Sequence, residues 1–394
     1  MAEVRNLQAR RREIRRSLAA RRVVESHGMP SILIFGDSKY ASLRHEVPLP
    51  LPDPIAYLES STSRTIVAGS LDLPRMRALG GCEVLAFEEL GLAEQLTQGK
   101  SLAEAMFACV LEACRRLGLS DVVVPSDFPL ELADVLRSGG VQVQADGALF
   151  EQRRRVKTQS ELVGLQRAQK AAEAAMSHVR ERLHEGGDLQ VETLRAEAQR
   201  VFIENGCVPH DLLVIAPGAH GADPHDQGSG AIPPRVPIVV DIFPRDMASG
   251  CWGDITRTFC VGEPPAELVD WHRVVREAQL LATGAVRSGI GAGELNRIAC
   301  DRIREAGYPT RLDEGAPALL EEGFIHYLGH GLGLELHEAP TLDEGGDVLV
   351  PGDVITIEPG LYRPGFGGCR IEDVVLVTDD GYELLTDFPY DLAP

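Results

Sequence analysis

Short apolar runs separated by amphipathic stretches fill the first 150 residues of the chain. Residues 31–35, 65–68, 82–87 and 121–125 are continuous apolar or near-apolar runs of strand length. Residues 102–117 and 130–137 repeat their apolar positions at helical spacing. Strand–helix alternation of this kind predicts an α/β domain with a mixed or parallel sheet. The proline-rich segment 48–54 predicts a loop.

The rhythm changes around residues 147–157. There a basic run, Arg153-Arg154-Arg155-Val156-Lys157, precedes Thr158-Gln159-Ser160-Glu161, in which a capping threonine is followed three residues later by glutamate. Helical patterns follow at about 159–185, 190–205, 265–287 and 292–306, interleaved with Val- and Ile-rich strands. This half predicts an α+β domain with a largely antiparallel sheet. The boundary is expected at 152/153, giving domains 1–152 and 153–394.

Composition narrows the class. Of 394 residues 44% are hydrophobic and 25% charged, enough apolar material for full cores. The net charge of −20 argues against a broad nucleic-acid grip, since phosphate would be repelled. Eight arginines crowd residues 1–22, where Val4, Leu7, Ile14 and Leu18 recur at near-helical spacing. That pattern predicts a solvated amphipathic helix in preference to a targeting peptide. No apolar run reaches the length of a membrane span, and no membrane partner is expected. The eight cysteines include no C-x-x-C pair and several sit in apolar company, so buried free thiols in a reducing, cytoplasmic setting are expected.

Candidate chemistry lies in the second half. Asp241 ends the apolar run 237–240, and Asp254 opens 255–259, whose alternation puts Asp254, Thr256 and Thr258 on one face. A hairpin of the two strands would set the aspartates side by side, although an aspartate at a strand end is more often a cap or turn residue. Residues 326–337 hold three of the chain's eleven histidines, His326, His330 and His337, among closely spaced glycines. Imidazoles there suit a metal, and merely lining a loop is the competing reading. Glu358 closes the apolar run 354–357. Arg370 and Glu372, two apart, are expected on one side of the next strand. An Arg370–glutamate salt bridge would account for one of these acids but not four, and buried acids need partners. Four carboxylates and His330 converging would be balanced by two divalent cations. Oxygen-rich ligation suits Mn²⁺ or another borderline ion, and metal-assisted hydrolysis is the matching reaction class.

Taken in order, Asp241-Ile242-Phe243, Gly253-Asp254-Ile255-Thr256-Arg257-Thr258, Gly329-His330-Gly331 through His337-Glu338, Ile357-Glu358-Pro359-Gly360 and Arg370-Ile371-Glu372-Asp373 resemble the metal-dependent "pita-bread" peptidases. That family comprises aminopeptidase P, prolidase, methionine aminopeptidase and creatinase. The resemblance covers residues 153–394 by motif. The first domain resembles the creatinase-type N-terminal domain in length and rhythm only.

The resemblance implies a dinuclear site with Asp241, Asp254, His330, Glu358 and Glu372 as ligands, Mn²⁺ being favoured over Co²⁺, Zn²⁺ or Fe²⁺. It implies Glu358 as general base, His225 and His337 as groups holding the substrate and its tetrahedral intermediate, His326 as a further active-site histidine, and Arg370 as an orienting residue. The expected substrate is a peptide with proline in second place, cut by an Xaa-Pro aminopeptidase or Xaa-Pro dipeptidase acting as a homodimer. A metal-using small-molecule hydrolase or lyase on the same fold and a non-catalytic binding protein are the alternatives. The complete ligand set argues against the binding protein and against a metal-free creatinase, and leaves the metal-using hydrolase or lyase open. The step from Asp241 to Asp254 is two residues longer than the family's usual one and is expected to lengthen the turn at 245–250. The intervals His225–Asp241 and His330–Glu358 are each one residue short, with the difference expected in loops.

Overall fold

A computed structural model describes residues 30–210, 212–317 and 320–394. The arginine-rich helix expected near the start of the chain lies outside these residues. The chain divides into two compact units. One holds the described residues through Phe35 together with Ile55–Asp146, and the other holds Gly36–Pro54 together with Gly147–Pro394.

The first unit is built on a mixed six-stranded sheet of β1 (Ile32–Gly36), β2 (Ile55–Glu59), β3 (Arg64–Ala68), β4 (Glu83–Ala86), β5 (Asp121–Val124) and β6 (Gln142–Ala145), in the order β4-β3-β2-β1-β5-β6. Parallel pairings join β1 to β5, β5 to β6 and β3 to β4, and an antiparallel one joins β2 to β3. Helices α1 (Leu102–Arg116) and α2 (Leu130–Ser138) form where helical spacing places them. Ser101 and Glu104 cap α1 reciprocally, and Ala105, Met106, Cys109, Val110 and Ala113 bury one face. The α/β expectation is met, with two additional strands. β2 is buried throughout and shows no alternation, and β6 is a mostly exposed edge strand, so neither carries a clear period-two signal.

In the second unit the strand pairings are antiparallel, as expected. β8 (Val214–Pro217), β9 (Ile238–Ile242) and β11 (Ile255–Phe259) form one sheet in the order β11-β9-β8, and β12 (Val354–Ile357), β15 (Asp373–Val377) and β16 (Tyr382–Leu384) form another. β13 (Gly360–Arg363) and β14 (Gly367–Arg370) make a hairpin, and β7 (Cys207–Val208) pairs with β10 (Arg245–Asp246). Helices α3 (Gln159–Glu185) and α4 (Val191–Glu204) share a core with Ile238, Val240, Ile242, Ile255 and Phe259. Helices α5 (Ala266–Ala285) and α6 (Ala292–Glu305) share another with Ile355, Ile357, Val375 and Val377. Since strand side chains alternate, the residues between these, Asp241, Thr256 and Thr356, belong to the opposite face. Period two thus carries Asp241, Thr256 and Thr356 to one side, while the helix side is apolar apart from the buried ion pair of Arg257 and Asp373. The thiols of Cys109, Cys114, Cys207, Cys251, Cys260, Cys300 and Cys369 are free and buried. No described helix is long and apolar enough to cross a membrane.

The longer step from Asp241 to Asp254 is structured. Its residues form β10, and the buried Asp246 accepts from Arg167 Nε and Nη2 (2.9 and 2.7 Å) and from Ser249 N and Oγ (2.7 and 2.6 Å). Gly253, the residue before Asp254, lies flat against α3. A Cβ there would stand 2.5 Å from the Ala168 carbonyl carbon. Gly253→Ala should therefore lower unfolding stability by about 1–3 kcal/mol, the range for forcing extra volume into a packed site, measurable by denaturant titration.

Candidate metal centre

The nine residues singled out in the sequence, His225, Asp241, Asp254, His326, His330, His337, Glu358, Arg370 and Glu372, line one cavity of about 570 Å³ within the second unit. Each arrives by a simple local device. Asp241 is paired across the hairpin with Thr256. Asp254 sits just before β11, its backbone gripped by Gln169 of α3, whose Oε1 accepts from Asp254 N and whose Nε2 donates to Asp254 O, both at 3.0 Å. Glu358 follows β12. Arg370 ends β14, and Glu372 lies in the two-residue step from β14 to β15. Arg370 and Glu372 were expected in one strand. The chain instead leaves the β13–β14 hairpin at Arg370 and joins β12 at Asp373, and both side chains still reach the cavity.

Asp254, His330 and Glu372 bring ligand atoms within 4.8 Å of one another, and all three are buried. His330 Nε2 is 3.5 Å from Glu358 Oε1 and 3.9 Å from Asp254 Oδ2. His330 Nδ1 lies 3.1 Å from the Gly331 carbonyl. Donation to that carbonyl leaves the Nε2 lone pair facing the acids, the tautomer a metal requires. Asp241 differs. Its Oδ2 accepts from Arg370 Nη2 at 2.6 Å and its Oδ1 accepts from Thr256 Oγ1 at 2.9 Å. The Arg370 salt bridge weighed in the sequence thus goes to Asp241, leaving three acids without a cation.

Thr256 Oγ1 also stands 2.7 Å from Glu372 Oε2, so one hydroxyl proton is shared between two carboxylates. Arg370 continues outward through Nη1 to Tyr362 Oη (3.0 Å), and Tyr362 Oη is 3.0 Å from His326 Nε2. Thr256 was placed on the face of Asp254 without a role, and Thr356, Tyr362 and Gln169 were not identified from sequence. Only the alternation around Thr256 and Thr356 offered a signal. His210, also missed, lines the cavity with its ring edge-on to Phe243 and Trp252.

Electrostatics shows what this cluster lacks. Burial, then the neighbouring acids, push the Asp254 and Glu372 carboxyls well above the usual carboxylate range. Burial pushes Glu358 up to about 8 and His330 down to about 3. Asp254 Oδ1 and Glu372 Oε1 are buried with no hydrogen-bond partner among the described residues. Orphaned carboxylate oxygens beside a neutral imidazole are costly unless something cationic joins them. The donor set, carboxylate oxygens and one imidazole nitrogen, fits divalent metal ions.

A buried carboxylate–imidazole centre between antiparallel sheets backed by helices defines a metal-dependent hydrolase. Residues 163–379 match metallopeptidase family M24, and the chain belongs to that family. It is 34% identical over 271 residues to the "Probable dipeptidase PepE" of Mycobacterium tuberculosis, covering 68% of each chain. It is 37% identical over 233 residues to the Xaa-Pro dipeptidase of Pyrococcus furiosus, covering 59% of this chain and 63% of that one. The solved Xaa-Pro dipeptidase from Bacillus anthracis superposes with a TM-score of 0.76 at 26% identity, over 92% of this chain and 94% of that one. The protein is thus a metal-dependent peptidase with the two-domain M24 fold.

The raised acids set a pH trend. A carboxyl whose folded pKa exceeds its unfolded one stabilises the fold fully below the unfolded value and loses that contribution as pH climbs to the folded value. For Glu358 that window runs from the ordinary carboxylate range to about 8. The buried histidines, their pKa values lowered in the fold, oppose this trend up to about pH 6.5. Chelated protein should therefore lose thermal stability from about pH 6.5 to pH 8, and the Tm gain on adding Mn²⁺ should grow over the same interval, as calorimetry at several pH values would show.

Proposed function

We propose that this chain is an Xaa-Pro dipeptidase that holds two divalent ions with Asp241, Asp254, His330, Glu358 and Glu372. The observation that carries the reading is the pair of orphaned oxygens on Asp254 and Glu372 beside the available Nε2 of His330. Dipeptidase is preferred to aminopeptidase because the relatives reported above are described as dipeptidases. Four carboxylates match the charge of two divalent cations. The Asp241–Arg370 pair holds one of those carboxylates in place.

When bound, the ions supply Lewis-acid polarisation of the scissile carbonyl and acidify the attacking water. The remaining work falls to side chains of this chain. Glu358 takes the proton of the attacking water and returns it to the departing prolyl nitrogen as the C–N bond breaks. His337, its charged form disfavoured by burial, donates a hydrogen bond to the carbonyl oxygen, and that bond strengthens as negative charge develops there. His225, which lines the same cavity, holds the substrate. A bond to proline has no N–H for an enzyme to grip, so activation of the carbonyl is the available route. His326 is kept neutral by burial and by Arg370, and its contact with Tyr362 fixes the ring.

Hydrolysis of Ala-Pro and Ala-Pro-Ala by Mn²⁺-loaded and chelated protein tests the reading. Rapid, chelator-sensitive cleavage of Ala-Pro with little release of alanine from the tripeptide is expected. Efficient cleavage of the tripeptide would make the protein an aminopeptidase. Asp254→Asn should lower kcat/KM by at least about a hundredfold, beyond the loss typical of changing a ligand's supporting residues. Full activity in that variant would remove Asp254 from the centre.

A further inference from the structure

Lys157 is one of four lysines in the chain, and the other three are exposed. Its side chain is 2% exposed. Its Nζ donates to Arg154 O at 2.8 Å and to Glu338 Oε1, and the Glu338 side chain is 3% exposed. Nothing in the proposed chemistry uses this buried pair. What it holds is the turn between two cavity histidines.

Glu338 and Gly331 exchange backbone hydrogen bonds, N to O, at 2.9 and 3.0 Å, closing residues 331–338 into a loop. The Glu338 carboxylate folds back into that loop. Its Oε2 accepts from Glu335 N at 3.3 Å, and a Cβ on Gly333 would lie 2.4 Å from its Oε1. His330 precedes the loop and His337 is its penultimate residue. Their rings meet with centroids 4.1 Å apart. Arg154, from the same basic run as Lys157, adds a second tie to the loop through Glu335 at 2.5 Å.

We infer that Lys157 is a positioning residue for His337, acting through Glu338. The inference rests on the assignment of His337 to the substrate carbonyl above. The buried carboxylate organises the turn, and Lys157 is the counter-charge that lets it stay buried. Without the ammonium, the carboxylate must take up a proton or turn towards water, because an unpaired buried charge is strongly disfavoured. Either change loosens the loop at the residue next to His337. A displacement of about 1 Å in a group that acts on the transition state costs on the order of a hundredfold in rate.

The test compares Mn²⁺-loaded wild type, Lys157→Met and the double variant Lys157→Met/Glu338→Leu. Replacing both partners by apolar groups removes the buried charge without orphaning a partner. Steady-state kinetics on Ala-Pro, Tm, bound metal and the rate of diethyl pyrocarbonate modification of His337, read by peptide mass, are measured for each. In Lys157→Met, kcat should fall about thirty- to hundredfold with KM and metal content little changed, and His337 should be modified several-fold faster. The double variant should regain Tm but not kcat. Recovery of kcat along with Tm would overturn the inference, because the pair would then serve packing alone. An unchanged His337 modification rate in folded Lys157→Met, or in the double variant if the single one does not fold, would overturn it as well. If wild type cleaves no Xaa-Pro dipeptide, the functional reading fails, and the modification rate still decides whether Lys157 fixes His337.

Discussion

Asp241 and Arg370 meet at 2.6 Å in a cavity that also receives Asp254, Glu358 and Glu372, and the arrangement of the second unit answers to that crowding of negative charge. Like charges a few ångströms apart in a dry pocket raise one another's proton affinity, so the strands that carry them are held from outside the cavity. Gln169 grips the backbone at Asp254. Arg257, almost wholly buried, donates to the carbonyls of Glu372 and Phe388 and to the Asp373 carboxylate. Thr256 bridges two of the acids with its hydroxyl. These contacts fix main chain more than acid, and they leave the outer carboxylate oxygens available to cations. The fold tolerates the electrostatic cost because the helix-backed faces of both sheets supply the apolar burial.

Much of this was legible from residue order. The helices of the second unit showed in their apolar spacing, and Thr158 and Glu161 form the reciprocal cap that their sequence announces. The acids and histidines of the cavity stood out because a charged residue closing an apolar strand demands an explanation. What sequence did not reveal was pairing across long separations. Arg370 chooses Asp241 because the β14 end faces β9, and no local pattern encodes that choice. Tyr362 and Gln169 act through hydrogen bonds to residues far away in sequence, and residues of those types stand elsewhere in the chain without such a role. β2 escaped notice because its run, Ile55-Ala56-Tyr57-Leu58-Glu59, is broken by Tyr57 and Glu59 and follows directly on the proline-rich loop, unlike the continuous apolar run of β1.

The run Arg153-Arg154-Arg155-Val156-Lys157 illustrates the same limit. In sequence it marks a change of rhythm. In the structure each of its cations faces a different acid, Arg153 with Glu46, Arg154 with Glu335, Arg155 with Asp353 and Lys157 with Glu338. Arg155 and Asp353 are both nearly inaccessible and joined through two parallel hydrogen bonds of 2.9 and 2.7 Å. Of these four ion pairs at the entrance to α3, those to Glu335, Glu338 and Asp353 fasten segments adjoining the cavity residues His337 and Glu358. Such pairing registers one element against another more than it adds net stability.

The membership of Gly36–Pro54 in the second unit has a consequence for how the molecule comes into being. Arg44 donates to the Ser249 carbonyl, His45 Nδ1 lies 2.9 Å from Glu161 Oε1, and Glu46 receives Arg153. These residues leave the ribosome long before their partners. The early segment must wait, its apolar side uncovered, until the rest of the unit has been synthesised, so the second unit cannot mature by strict order of emergence. Contacts separated by up to about two hundred residues also slow assembly, since chain closure precedes any gain from the contact. The two units are therefore interleaved in time as well as along the chain, and the second is complete only once its late-made segments have met residues 36–54.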